Sequence, residues 1–349
     1  MKKSLFAILA AAACLASCSE VIDSPVVGNP ISFDNYVGKD AVTRAAVVSN
    51  VSSVNVNAYL HKATTSNGAN FVANFMSAQT VTKEGDKWVY SPTKYWPASD
   101  QVVDFVAWIN DAPEGVASNI EIETNADGQY TSIMNFTVAD VVTNQTDLLV
   151  ATPVLDQNRT LDNSAVNLTF KHLLSRIGFE IQPTGLPAED DQVNIVELEY
   201  VRLNGQFAKS GEVDMTAASP AVSGTVEDVT YELTGANFGY TDNRIKPTNA
   251  ANTDNSYIML IPQGNVPESI TVKYTVTTKE TGKPDVVIEN ESEFPLNSDP
   301  STPFAYEAGK AYKYIFKITM AAIEFSVTET PWDETLTNPG TDITPEPAE

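Results

Sequence analysis

The feature that most constrains the fold is a two-residue periodicity, repeated in short runs along most of the chain. In "SVNVNAYL", Val54, Val56, Ala58 and Leu60 alternate with Ser53, Asn55, Asn57 and Tyr59. Alternation of this kind sends successive side chains to opposite faces of an extended strand, so one face is apolar and the other wet. Similar runs occur at 88–92, 102–108, 166–170, 176–181, 194–203, 257–262, 270–278, 286–294, 312–320 and 323–327. Clusters of Gly, Pro, Asn and Asp lie between them, and no long stretch has the 3.6-residue period of an amphipathic helix. Without helices to cover a parallel sheet, such a chain is expected to be all-β and built of antiparallel sandwiches.

A chain of 349 residues is longer than one core usually organises, so two domains are expected. The segment "PTGLPAEDD" at 183–191, with two prolines, a glycine and three acids, places the break near residue 186. Just before it the alternation changes phase. Val166, Leu168, Phe170 and His172 hold even positions, whereas Ile177, Phe179 and Ile181 hold odd ones, so "HLLSR" must contain a bulge or a tight turn.

The first residues read as an address rather than as fold. Lys2 and Lys3 precede "LFAILAAAACL", an apolar run too short to span a bilayer, and "LASC" follows. Residues 1–17 are therefore expected to be a signal peptide, and "LASC" is similar to the bacterial lipobox, in which the cysteine, here Cys18, becomes a lipidated first residue. Cys14 would be discarded with the leader, so no disulfide can form within the mature chain and packing alone must stabilise it.

The formal charge is -24, from 21 Lys and Arg against 45 Asp and Glu. Such a surface repels nucleic acid and anionic lipid headgroups and suits a soluble extracytoplasmic body. Signatures of chemistry are missing: there is no phosphate-binding or dinucleotide glycine loop, no His-Glu-x-x-His and no Gly-x-Ser-x-Gly. His172 lies on the apolar side of its run and reads as a satisfied core histidine; His61 is the only other one. The trio Glu189, Asp190 and Asp191 lacks EF-hand spacing and reads as a solvated loop. No catalytic residue, cofactor or metal is expected. Trp88, Tyr90, Tyr95 and Trp96 are expected in the core, with a sugar-binding platform as their alternative role.

The blocks "KWVYSPTKYWPASDQVVDFVAW" (87–108), "DLLVATP" (147–153), "VNLTFKHLLSRIGFEI" (166–181), "YIMLIPQ" (257–263) and "AGKAYKYIFKITMAAIEFSVTETPW" (308–332) occur in an order that resembles the fimbrillin (Mfa-like) family. Its members are type V pilus subunits of Bacteroidetes, exported as surface lipoproteins. The resemblance implies two transthyretin-like β-sandwich domains in tandem, at 45–186 and 187–332, and an acidic, proline-containing tail at 333–349. It also implies a lipidated propeptide at 18–44, cleavage between Arg44 and Ala45, and partnership with other pilus subunits by donor-strand addition. The membrane contact implied is the outer membrane, through the lipid on Cys18 before maturation, and a host or bacterial surface ligand is a further partner.

The segment lost by such a cut contains "PISFDNYVG" at 30–38, where Ile31 and Phe33 alternate with Ser32 and Asp34 and are expected to fill a sandwich as a leading strand. In the tail, Leu336 and Ile343 are the only strong apolar anchors of a donor strand, and shaft, tip and anchor roles stay open. The alternative to a pilus subunit is a monomeric glycan-binding surface lipoprotein of a nutrient-uptake system.

Overall fold

The protein is described from a computed structural model covering residues 29–37, 52–64, 72–109, 120–158, 164–184, 192–241, 244–247, 257–264, 269–296, 305–318, 323–331 and 342–343. Cys18, Arg44, Ala45 and the acidic trio Glu189 to Asp191 lie outside these residues. Strands dominate, and among the described residues there is no α-helix. In chain order they begin with β1 (Phe33–Val37), β2 (Ser53–Lys62), β3 (Met76–Glu84), β4 (Lys87–Val89), β5 (Gln101–Ile109), β6 (Ile120–Thr124) and β7 (Tyr130–Thr137). There follow β8 (Leu149–Ala151), β9 (Val154–Gln157), β10 (Val166–His172), β11 (Ser175–Pro183), β12 (Gln192–Asp214), β13 (Ser223–Thr234), β14 (Phe238–Thr241) and β15 (Arg244–Pro247). The last are β16 (Ile258–Leu260), β17 (Gln263–Gly264), β18 (Ser269–Glu280), β19 (Val286–Pro295), β20 (Ala305–Tyr306), β21 (Lys310–Ile318), β22 (Ile323–Pro331) and β23 (Asp342–Ile343).

Three sheets hold all but the β17–β20 pair. The first runs β1-β10-β8-β5-β2-β3-β4, with β9 also on β5; the second runs β14-β15-β11-β21-β22-β23, with β16 on β11; the third runs β19-β18-β12-β7-β6, with β13 on β12. Among the described residues, hydrogen bonding therefore crosses residue 186 repeatedly. β11 lies before it and pairs with β15, β16 and β21, and β7 lies before it and pairs with β12.

Most pairs are antiparallel, as the alternation predicts, but β1 with β10 and β11 with β21 are parallel. Parallel neighbours cannot be joined by a hairpin, so each of these seams unites segments far apart in the chain. The phase change in "HLLSR" has a simple cause. β10 belongs to the first sheet and β11 to the second, and Leu173 and Leu174, both buried, carry the chain from one to the other.

β5 is the clearest case of burial on both faces. Val103, Phe105, Ala107 and Ile109 enter a core inside the first sheet, together with Val54, Val56, Val166, Leu168 and Phe170. Val106 and Trp108, on the other face, join Tyr59 in the larger core that also takes in Phe179, Phe207, Tyr231 and Phe316. A strand covered on both sides needs apolar residues at consecutive positions, which accounts for the run "VVDFVAW".

β12 organises the third sheet. Along one edge it pairs first with β18 and then with β7, and along the other with β13. A register shift between Ala208 and Gly211 accompanies this change, and there Gly211 faces Gly224 of β13. A Cβ on Gly224 would collide with the Ser210 carbonyl oxygen, so the close approach requires glycine. Gly224→Ala is expected to cost about 1–3 kcal/mol by overpacking. Urea unfolding measures it, and an unchanged midpoint would show that the bulge yields freely.

Candidate functional site

The candidate site is the seam where residues 29–37 complete the first sheet. On one side Phe33 to Val37 run parallel to Val166 to Phe170, and the Val166 N–H donates to the Ser32 carbonyl at 2.8 Å. On the other side Pro30 bridges to Tyr95, the Ile31 N–H donates to the Lys94 carbonyl at 2.9 Å, and the Trp96 N–H donates to the Asn29 carbonyl at 3.1 Å. The short extended segment around Tyr95 and the strand β10 are thus linked through residues 29–37.

Two side chains anchor the seam strand. Ile31 is 2% exposed and Phe33 is 5% exposed, and both belong to the inner core of the first sheet. Burial of each contributes roughly 1.5–3 kcal/mol. The Phe33 ring meets Tyr90 edge-on at 5.5 Å and Phe105 edge-on at 5.7 Å, and Trp96 meets Phe105 in the same manner at 5.9 Å. The Tyr90 hydroxyl donates to the Ile31 carbonyl at 2.9 Å, and burial pushes its phenol above the ordinary value of 10.0. The slot therefore holds residues 29–37 by main-chain hydrogen bonds and by two apolar side chains spaced two residues apart.

Ile31 and Phe33 thus lie together in the core. Cys18, Arg44 and Ala45 fall outside the described residues. Of the expected core aromatics, Trp96 is fully buried and Trp88 and Tyr90 pack partly buried against the cluster, but Tyr95 is 45% exposed. The reason is periodicity: Trp96 turns inward at the end of the segment, so its neighbour must turn out. His172 is satisfied, with its Nδ1 2.5 Å from Asp147 Oδ2. In the tail, Asp342 and Ile343 pair with Thr328 and Val327 at the edge of the second sheet. No metal was expected from sequence spacing, yet His61, Asp104 and Asp156 bring three ligand-type atoms within 4.8 Å of one another. The signal available in the sequence was Asp104 itself, an acid in the middle of an otherwise apolar run.

The sequence profile of the fimbrillin-like family matches residues 43–332. The chain is 23% identical over 290 residues to the fimbrium subunit Fim1C of Phocaeicola vulgatus, a match that covers 74% of this chain and 75% of that protein. Among solved structures, a fimbrial protein from Bacteroides vulgatus superposes with a TM-score of 0.64 at 17% identity, covering 87% of this chain and 99% of the other. A structure described as a cell adhesion protein from Bacteroides ovatus gives 0.51 at 14% identity, covering 88% and 99%. At these identities the two structures show a shared fold.

Phe33→Ala in the uncut chain is expected to lose about 3–5 kcal/mol, whereas Asp34→Ala, at an exposed position, should stay within about 0.5 kcal/mol. Chemical denaturation distinguishes the two, and equal effects would remove Phe33 as an anchor. Tyr90→Phe should cost about 0.5–1.5 kcal/mol at neutral pH through the lost hydrogen bond. The fold favours the neutral phenol of Tyr90, so the stability it contributes is complete below pH 10.0 and is lost as pH rises through its higher folded value. The gap between wild type and Tyr90→Phe should therefore narrow in unfolding experiments above pH 10.0. A constant gap would contradict it.

Proposed function

The chain belongs to the fimbrillin-like family, and from that premise we propose that it is a structural subunit of a cell-surface pilus that contributes to adhesion. The family is one of fimbrial proteins rather than of enzymes. In this reading the precursor is exported, lipidated on Cys18 at the outer membrane, cut between Arg44 and Ala45, and joined to other pilus subunits by donor-strand addition.

The observation that carries the reading is the seam. Residues 29–37 supply backbone pairing and two core side chains to the first sheet, yet they precede residue 43, where the family match begins. Arg44 stands in the sequence between this strand and β2. Removal of the strand leaves the outer edge of β10 without a neighbour and exposes the apolar floor formed by Phe105, Trp96 and Leu168. Unpaired edges and bare apolar slots are unfavourable in water, so the cut subunit gains stability by accepting a strand from another copy.

Arg44→Ala is expected to fold and reach the surface but to stay monomeric, and fibres of the wild type are expected to begin at Ala45. Native electrophoresis and N-terminal sequencing of fibres test both points. A synthetic peptide of residues 30–38, added to cut protein, should raise its melting temperature and block polymer growth by competing for the slot. Efficient assembly by Arg44→Ala, with no effect of the peptide, would overturn the reading. Lipidation has its own test: Cys18→Ala should lose incorporation of a labelled fatty acid, and equal labelling would exclude Cys18 as the anchor.

A further inference from the structure

On the opposite face of β5 from Phe105 lies a second group of side chains that the pilus reading does not use. Tyr59 pairs with Asp104 and His61 with Val102, so His61 and Asp104 stand diagonally on one face of neighbouring strands. β9, on the other side of β5, adds Asp156, whose N–H donates to Asp104 Oδ1 at 2.6 Å. His61 Nε2 lies 3.1 Å from Asp104 Oδ2 and 3.6 Å from Asp156 Oδ1. The side chains of His61 and Asp104 are 9% and 3% exposed, while that of Asp156 is 73% exposed.

The imidazole is confronted by acceptors at both nitrogens. Nδ1 lies 3.0 Å from the Lys62 carbonyl oxygen, which can only accept, so the tautomer that leaves Nε2 free to ligate has its Nδ1 proton satisfied. In that tautomer Nε2 directs its lone pair toward two carboxylates. Either a second proton or a shared cation resolves this. One protonated imidazole offsets a single carboxylate, whereas a divalent cation takes the lone pair and offsets both charges.

The two separations from His61 Nε2 agree with the cation, and all three ligand atoms lie within 4.8 Å of one another. Ligand atoms at about 2.0–2.1 Å from a tetrahedral ion stand roughly 3.3–3.4 Å apart, and the two observed separations bracket that value. An Nδ1–H donated to a backbone carbonyl is also the arrangement that commonly sets the tautomer of a metal-binding histidine. An imidazole with two carboxylates matches a borderline transition cation better than calcium or magnesium, which take oxygen ligands.

We propose that His61, Asp104 and Asp156 bind one divalent transition cation of the zinc type, open to water on the Asp156 side and tying β9 to β2 across β5. The site does not depend on the pilus reading. The test uses the full chain, freed of metal with a chelator and titrated with Zn2+ alone by calorimetry, with melting temperature as a second readout. The expected result is one Zn2+ per chain and a raised melting temperature. Asp156→Asn, at a carboxylate that is 73% exposed, should weaken binding about tenfold or more. His61→Gln should abolish binding, while His172→Gln should leave it unchanged. If His61→Gln fails to fold, Asp156→Asn decides. Absence of saturable binding, or binding unaffected by Asp156→Asn, would overturn the site and leave a protonated histidine between two carboxylates.

Discussion

The first sheet is completed on the β10 side by residues 29–37, which add both a paired strand and core side chains. The rest of that unit depends on this pairing. The cysteines stand only at positions 14 and 18, so no covalent link holds the described residues together, and backbone ladders with packed side chains carry the stability. Ile31 and Phe33 enter the same core as Phe105, Leu168 and Phe170, so the strand that closes the ladder also fills the interior. Pairing and burial are lost or gained together.

β5 transmits that dependence. Its Phe105 side meets the seam strand, and its Val106 and Trp108 side belongs to the larger core shared with the second and third sheets. Close packing on both faces leaves little room for independent movement of the two cores. Asp104 is the exception in this apolar strand. A carboxylate buried there would be costly alone; the Asp156 N–H donates to one of its oxygens, and the other faces His61 Nε2.

A slot defined by main-chain groups and two apolar positions recognises a pattern more than an individual sequence. This suits a polymer in which one kind of strand must replace another in the same place. The strongly acidic surface adds no attraction between copies, which is consistent with the proposed strand exchange as the contact that joins them.

Much of this was legible in the chain, and the limits have physical reasons. Alternation in "SVNVNAYL" marked β2, and "PISFDNYVG" revealed its two buried positions, because a strand's side-chain period is local and survives any fold. The same rule turns Tyr95 out once Trp96 is inward, whereas the expectation that both lie in the core rested on side-chain type alone. The phase change at "HLLSR" was visible, whereas its cause, a passage from one sheet to another, was not. The parallel seams of β1 with β10 and β11 with β21, the pairing of β7 with β12 across residue 186, and the meeting of His61, Asp104 and Asp156 join residues far apart in sequence. Local period and composition determine that a segment is a strand and mark one apolar side, but not that the other side is covered too, as at Asn57 and Tyr59 of β2. Which strand lies beside it is decided only when the sheets close, since every extended segment offers the same backbone donors and acceptors and tertiary packing alone chooses among them.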